Sequence, residues 1–159
     1  RAPTTVGCEE PGVPVPVNVR VGSVLPLLWS ATGRAFLAHL DERAVQAMAQ
    51  EELARASDEQ RSSLSTAEPI EALRRSVQAA GCACVRDTNL RGISAVSAPL
   101  HDHTGRVCAV LTALGATGGF DASVDGPIAK AVGQEAAAIS KVLGYADPAA
   151  AGAGAGAGA

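Results

Sequence analysis

Apolar positions alternate near the start of the chain, take helical spacing through its middle, and form two long runs around residue 100. Residues 3–8 and 13–20 alternate on either side of Glu9-Glu10-Pro11-Gly12, a hairpin pattern. Pro14 and Pro16 confine the second arm to a sheet edge or a strand start, because proline cannot donate to the ladder. Ser30 then stands ahead of a helical run from Ala31 to Leu40 and is its expected N-cap. Asp41 is the expected cap of a second helix, with Ala44, Val45, Met48 and Ala49 turned inward. Residues 54–66 are polar and expected to face solvent. A third helix opens at Pro69, carries Ile70, Leu73 and Val77 at helical spacing, and stops at Gly81.

Strands are expected at about 82–87, 92–101 and 106–116, the last two joined by the turn His101-Asp102-His103-Thr104-Gly105. Both long strands are apolar at nearly every position, so both faces of their sheet should be covered. Ile128, Val132, Ala136, Ile139 and Leu143 line one side of a final helix ending at Gly144. These elements predict an α+β fold, an antiparallel sheet with helices packed on its faces, GAF-like or profilin-like in arrangement. One domain over residues 1–145 is the expected unit, followed by an Ala/Gly-rich low-complexity tail at 146–159 that could bury no core.

Composition narrows the function classes. A hydrophobic share of 47% with 18% charged residues fits a packed globule built from Ala, Val, Leu and Ile, since Trp29, Phe36, Phe120 and Tyr145 are the aromatics. The net charge of -3 argues against nucleic-acid binding by this chain itself, and Arg74-Arg75 reads as a solvated helix face. Arg1 in place of Met suggests a fragment or a processed product. No signal peptide is visible and no apolar run is long enough to span a membrane.

Candidate chemistry is sparse. Cys82 and Cys84 share a strand face, with Cys8 and Cys108 elsewhere, and none of the spacings is that of a zinc site. Buried, inert thiols in a reducing cytoplasm are expected. His101-Asp102-His103 lacks a third metal ligand and reads as a turn, with Asp102 bonding nearby backbone. His39 is expected to be a satisfied core or edge histidine. No nucleophile triad, phosphate loop or paired-carboxylate motif occurs, so neither a cofactor nor a catalytic residue is expected. The helix opening at Ser30 offers something else: unpaired backbone amides at residues 31–33 and the positive end of the macrodipole. Gly33 either lets a ligand approach there or merely allows close packing.

The run Ala95-Val96-Ser97-Ala98-Pro99-Leu100-His101-Asp102 resembles the signature stretch of the IclR family of bacterial transcription regulators. The run Leu25-Pro26-Leu27-Leu28-Trp29-Ser30-Ala31-Thr32-Gly33-Arg34-Ala35-Phe36-Leu37-Ala38 is similar to one wall of that family's effector pocket. The resemblance covers residues 3–145 and implies a C-terminal effector-binding and oligomerisation domain. Leu25, Leu27, Ala31, Thr32 and Gly33 would form one wall, with amides near Ala31 and Thr32 receiving an anionic ligand end. Ile93 and Ala95 on one strand, and Thr112 and Leu114 on its neighbour, would form the other. Acids common in the family are replaced here by Val85 and Thr88, and Asp87 is the nearest substitute. An apolar lining with few polar anchors favours an aromatic or acyl carboxylic acid.

The resemblance further implies a cytoplasmic homodimer or homotetramer whose ligand modulates operator binding. DNA would be met by an N-terminal winged helix-turn-helix that this chain lacks. Two alternatives stand beside it: a GAF-like thiol redox enzyme using Cys82, Cys84 or Cys108, and a dimerisation module that takes no ligand.

Overall fold

The computed structural model describes residues 2–9, 19–40, 42–64 and 66–146. Its elements, in order, are α1 (Ala31–His39), α2 (Arg43–Arg55), α3 (Asp58–Ser62), α4 (Pro69–Ala80), β1 (Ala83–Arg86), β2 (Ile93–His101), β3 (Val107–Ala116) and α5 (Pro127–Val142). The strands form an antiparallel sheet in the order β1-β2-β3. This is the expected α+β fold.

Alternation along the strands sorts their side chains onto two helices. Ala83, Val85, Ala95 and Leu114 pack against α1, while Cys82, Val96, Ala98 and Leu100 pack against Ala129, Val132 and Ala136 of α5. β2 is therefore buried almost throughout, as its continuous apolar run predicts. β3 is half-buried along most of its length, and among the described residues no strand lies on its outer side. Pro99 lies beyond the β1–β2 ladder, since β1 begins opposite Ser97, so it interrupts no β1–β2 pairing. A second core joins Leu27, Leu28, Trp29 and Leu37 to Val45 and Ala49 of α2 and Ile70 of α4.

Helix ends follow their signals. Ser30 caps α1, its hydroxyl accepting the Gly33 amide at 2.9 Å. Pro69 occupies the first turn of α4, and Gly81 ends that helix with φ at 71°, a left-handed conformation that favours glycine. The turn after β2 closes on Asp102, whose carboxylate accepts the amides of Thr104 and Arg106 at 2.8 and 3.2 Å.

Several expectations need correction. Thr4 bridges Val24, and Leu25 donates to the Pro3 carbonyl at 2.9 Å, so the 3–8 arm pairs with residues that follow the anticipated partner. Of that partner, 13–18 lie outside the described residues. The N-cap of α2 is Glu42, without a side-chain cap bond, and Asp41 is outside the described residues. Ala44 is exposed, and Leu143 is 43% exposed rather than part of the α5 core face, whereas half-buried Met48 packs against the helical core as expected. The polar segment 54–66 is largely solvent-facing but contains α3, whose capping box joins Ser57 and Gln60 reciprocally. Residues 147–159, nearly all of the expected tail, lie outside the described set.

The tightest packing constraint falls at Gly33. A Cβ there would lie 2.0 Å from the Pro26 carbonyl oxygen and 2.5 Å from the Leu27 Cα. Both obstacles are backbone, so neither can swing aside. Gly33→Ala should therefore destabilise the fold by at least the ~1–3 kcal/mol typical of overpacking. Gly133→Ala, with nothing within 4 Å of its new carbon in α5, should instead stabilise by up to about 1 kcal/mol through helix propensity. Urea unfolding of the two variants checks the contrast, and equal stabilities would contradict it.

Candidate functional site

The start of α1 lies across the strand face formed by β1, β2 and β3. Ala31, 1% exposed, sits in one apolar cluster with Val85, Ala95 and Leu114. Beside them Thr32 Oγ1 and Thr112 Oγ1 are 2.7 Å apart, and Thr112 Oγ1 is also 2.7 Å from Ser97 Oγ. A hydroxyl has one proton, so Thr112 donates to one neighbour and accepts from the other. Ser97 and Thr112 are register partners on β2 and β3, which places both hydroxyls on the α1 face. The seam thus presents a helix N-terminus, a chain of three hydroxyls and an apolar strand face within a few side chains of each other.

Of the residues expected to contact a ligand, the structure brings together Ala31, Thr32, Ala95, Thr112 and Leu114. Ile93 opens β2, two residues before Ala95, and is half-buried. Leu27 packs with the helical core instead, and half-buried Leu25 follows the Thr4–Val24 bridge. Gly33 faces the backbone of Pro26 and Leu27, so close packing accounts for it in this structure. Asp87 is exposed, with φ at 56°, and its Oδ1 accepts the Gly92 amide at 2.6 Å and the Thr117 hydroxyl at 2.9 Å. Its carboxylate closes the β1–β2 turn. Val85 fills the seam, and Thr88 donates its hydroxyl to the Trp29 carbonyl at 2.6 Å, so the two positions that lack acids have structural roles.

Residues 26–30 carry this arrangement. Their backbone is held by Ser30 Oγ on the Pro26 carbonyl, Thr88 on Trp29, and Arg34 Nε donating to the Leu28 carbonyl at 2.7 Å. Glu52 of α2 accepts the amides of Leu27 and Leu28 at 2.7 and 2.9 Å. Burial pushes the Arg34 guanidinium below its ordinary pKa. Ser97, Thr88, Arg34 and Glu52 were not anticipated as site residues. Ser97 could have been found, since it shares the face of Ala95 by the period of two. Nothing local marks Glu52, which bonds across 24 and 25 residues.

Other candidates resolve as follows. Cys82 is buried and its Sγ is 3.9 Å from that of Cys84, while Cys8 and Cys108 are exposed, contrary to the expectation of buried thiols throughout. Cys108 is the extra residue of a bulge opposite Leu100 and His101. Burial, and then the neighbouring Cys82, pushes the Cys84 thiol up to about 12, the wrong direction for a nucleophile. Among the described residues no group of three or more His, Cys, Asp or Glu could hold a metal ion. Arg75 is exposed and pairs with Glu68 and Glu71, the solvated face expected. The Arg74 side chain is instead largely buried, pairs with Glu71 and reaches the Leu40 carbonyl, which corrects that expectation. A separate groove of about 420 Å³ is lined by residues including Leu53, Arg61, Leu64 and Pro69. There Arg61 is already spent on the carbonyls of Ala54 and Ala56.

His39 departs from expectation: its Nε2 is buried and has no hydrogen-bond partner among the described residues. The ring meets His101 edge-on at 6.1 Å, and His101 stacks on Tyr145 at 4.8 Å.

The sequence matches the family model described as bacterial transcriptional regulator IclR C-terminal over residues 9–141. The chain therefore belongs to the IclR family, in the region of its C-terminal domain. Among solved structures, HmgR of Pseudomonas aeruginosa is similar at 38% identity and a TM-score of 0.76, covering 89% of this chain and 55% of its own. The repressor BlcR of Agobacterium tumefaciens shares the fold at 20% identity and a TM-score of 0.70, with 89% and 55% covered. The C-terminal domain of E. coli KdgR does so at 22% identity and 0.61, with 79% and 75% covered. The chain thus spans about half the length of HmgR and BlcR. The comparison with curated proteins returned no match. Among the described residues no helix is long and apolar enough to cross a membrane.

Two measurements test the site as built. Thr112→Val would leave Ser97, 0% exposed, without its hydroxyl partner and should cost about 1–3 kcal/mol in chemical denaturation. Thr104→Val, at an exposed hydroxyl on Asp102, should cost about 0.5 kcal/mol or less. Equal losses would mean that the hydroxyl chain holds nothing together.

The second concerns His39, whose pKa is lowered from 6.5 by burial, with His101 and Arg74 adding repulsion. The unfolded chain then takes up the proton first as pH falls. The stability that neutral His39 contributes is present above the unfolded value and is lost as pH drops through the folded one. His39→Gln should flatten this part of the stability–pH profile, whereas exposed His103→Gln should leave it. An unchanged slope in His39→Gln would refute the assignment.

Proposed function

We propose that this domain senses a small organic carboxylate with an apolar body, bound at the seam between the start of α1 and the strand face. The observation that carries this reading is the juxtaposition of the Ser30-capped helix end with the Thr32–Thr112–Ser97 hydroxyls and the apolar patch of Ala31, Ala95 and Leu114. The helix end attracts the anion, and a hydroxyl orients it. Ala31, Thr32, Ile93, Ala95, Thr112 and Leu114 contact the ligand, with Leu25 and Leu27 at the margin. Gly33 and Asp87 support the seam, through close packing and through the β1–β2 turn.

The seam is closed by direct packing, so a ligand enters by separating α1 from the strands. Binding then selects an arrangement in which α1 has moved, which is how occupancy becomes a signal. In the full-length regulator the moving element alters how subunits of a homodimer or homotetramer associate, and so how an N-terminal winged helix-turn-helix meets its operator. The raised Cys84 thiol weighs against the thiol-enzyme alternative.

A thermal-shift screen of aromatic and acyl carboxylic acids tests the reading, since a ligand of the folded state raises its melting temperature by mass action. At least one acid should stabilise the chain and alter its sedimentation. Thr112→Val should weaken that acid by roughly one hydrogen bond, ~1 kcal/mol or about fivefold in Kd. Ala95→Ile, which crowds the seam, should weaken it further. Full binding by a folded Ala95→Ile variant would place the site elsewhere.

A further inference from the structure

Backbone amides that point at a carboxylate are uncommon outside helix ends, and residues 26–30 provide a pair. Leu27 N and Leu28 N donate to Oε1 and Oε2 of Glu52 at 2.7 and 2.9 Å, one amide to each oxygen. This is the two-pronged geometry in which a carboxylate is held most firmly. Leu28 also accepts from the guanidinium of Arg34 through its carbonyl, which keeps a mostly buried cation close to the next peptide unit. The turn is rigid besides, pressed on Gly33 and fixed by Ser30 and Thr88. These contacts hold the turn independently of Glu52.

We propose that the Leu27 and Leu28 amides are a carboxylate-binding site, occupied in this structure by the chain's own Glu52 and able to take a free carboxylate in its place. The ligand class is a small monocarboxylate head group, since two adjacent donors match the two oxygens of one carboxylate. The site reaches beyond the seam described above: its donors precede α1, and its occupant comes from α2. Exchange at this point would untie the last turns of α2 from the start of α1. In α2 the buried residues are Val45 and Ala49, both before Glu52, so the carboxylate is the polar anchor of its C-terminal half. The tethered Glu52 enjoys an effective concentration of millimolar order or above. A free carboxylate therefore displaces it only when the ligand's body adds contacts of its own.

The test removes the tethered carboxylate and offers a free one to the whole 159-residue chain. Glu52→Ala should melt below the wild type, and acetate should raise its melting temperature along a saturating curve. Chloride at the same ionic strength and pH should not do so, and the wild type should be unmoved by acetate. A response to acetate that is equal in both proteins, or absent in a folded Glu52→Ala, would overturn the proposal. If Glu52→Ala does not fold, Glu52→Gln keeps the shape and leaves a single acceptor oxygen. Hydrogen exchange at the Leu27 or Leu28 amide should then be about tenfold faster than in the wild type, and acetate should slow it again. Exchange unaltered by the substitution, or by acetate, would equally reject the site. Acetate binding here is read out whether or not any organic acid enters the seam, so the two proposals fail separately.

Discussion

The backbone of residues 26–30 lies directly on Gly33, and the rest of the domain is arranged around that contact. A Cβ at this position would meet the Pro26 carbonyl at 2.0 Å, a distance no side-chain adjustment relieves. Because the chain can approach so closely, the segment folds back over the first turn of its own helix and fixes the direction in which α1 leaves. The direction matters because α1 must lay Ala31, Ala35 and Ala38 on the strands while turning Leu37 into the helical core. Small residues on one side let the helix sit low on the sheet. Leucine on the other fills the space between helices.

Once the turn is fixed, polar groups from three parts of the fold converge on it. Glu52 arrives from α2, Thr88 from the loop after β1, and Arg34 from α1 itself. Each satisfies a backbone group that would otherwise be left unpaired in a partly buried loop, where an unmade hydrogen bond costs about 1–3 kcal/mol. A displacement of α1 must consequently be felt in α2 and in the β1–β2 loop, which gives a ligand at the seam a physical route to more distant surfaces. It also explains how two positions can dispense with acids without leaving holes: Val85 packs, and Thr88 bonds.

The sequence reveals elements whose signals are local. The Ser30 cap, Pro69 at a helix start, Gly81 in the left-handed region and the apolar runs of β2 and β3 all fall where periodicity and end signals put them. The Ser57–Gln60 capping box was equally legible, yet the polar character of 54–66 obscured the short helix it opens. What sequence could not show is long-range choice. The first arm's pairing with Val24, and the reach of Glu52 to Leu27 and Leu28, depend on the folded arrangement. The same limit applies at the seam. Thr32, Ala95, Thr112 and Leu114 were expected there through family resemblance and strand alternation, and alternation also puts Ser97 on the Ala95 face, but its pairing with Thr112 depends on the β2–β3 register. Asp87 looked like a site acid by proximity in sequence, and three-dimensional placement gives it a turn to hold.

The central claim is that the seam between α1 and the strand face receives the ligand. Backbone amide shifts, followed by NMR while a stabilising organic acid is titrated, address it most directly. The account predicts that the amides of Ala31, Thr32, Ala95 and Thr112 move together and saturate at one concentration, while those around Thr104 and Ser123 stay in place. An acid that binds and shifts residues lining the groove at Leu53 and Leu64, leaving the seam unmoved, would contradict it.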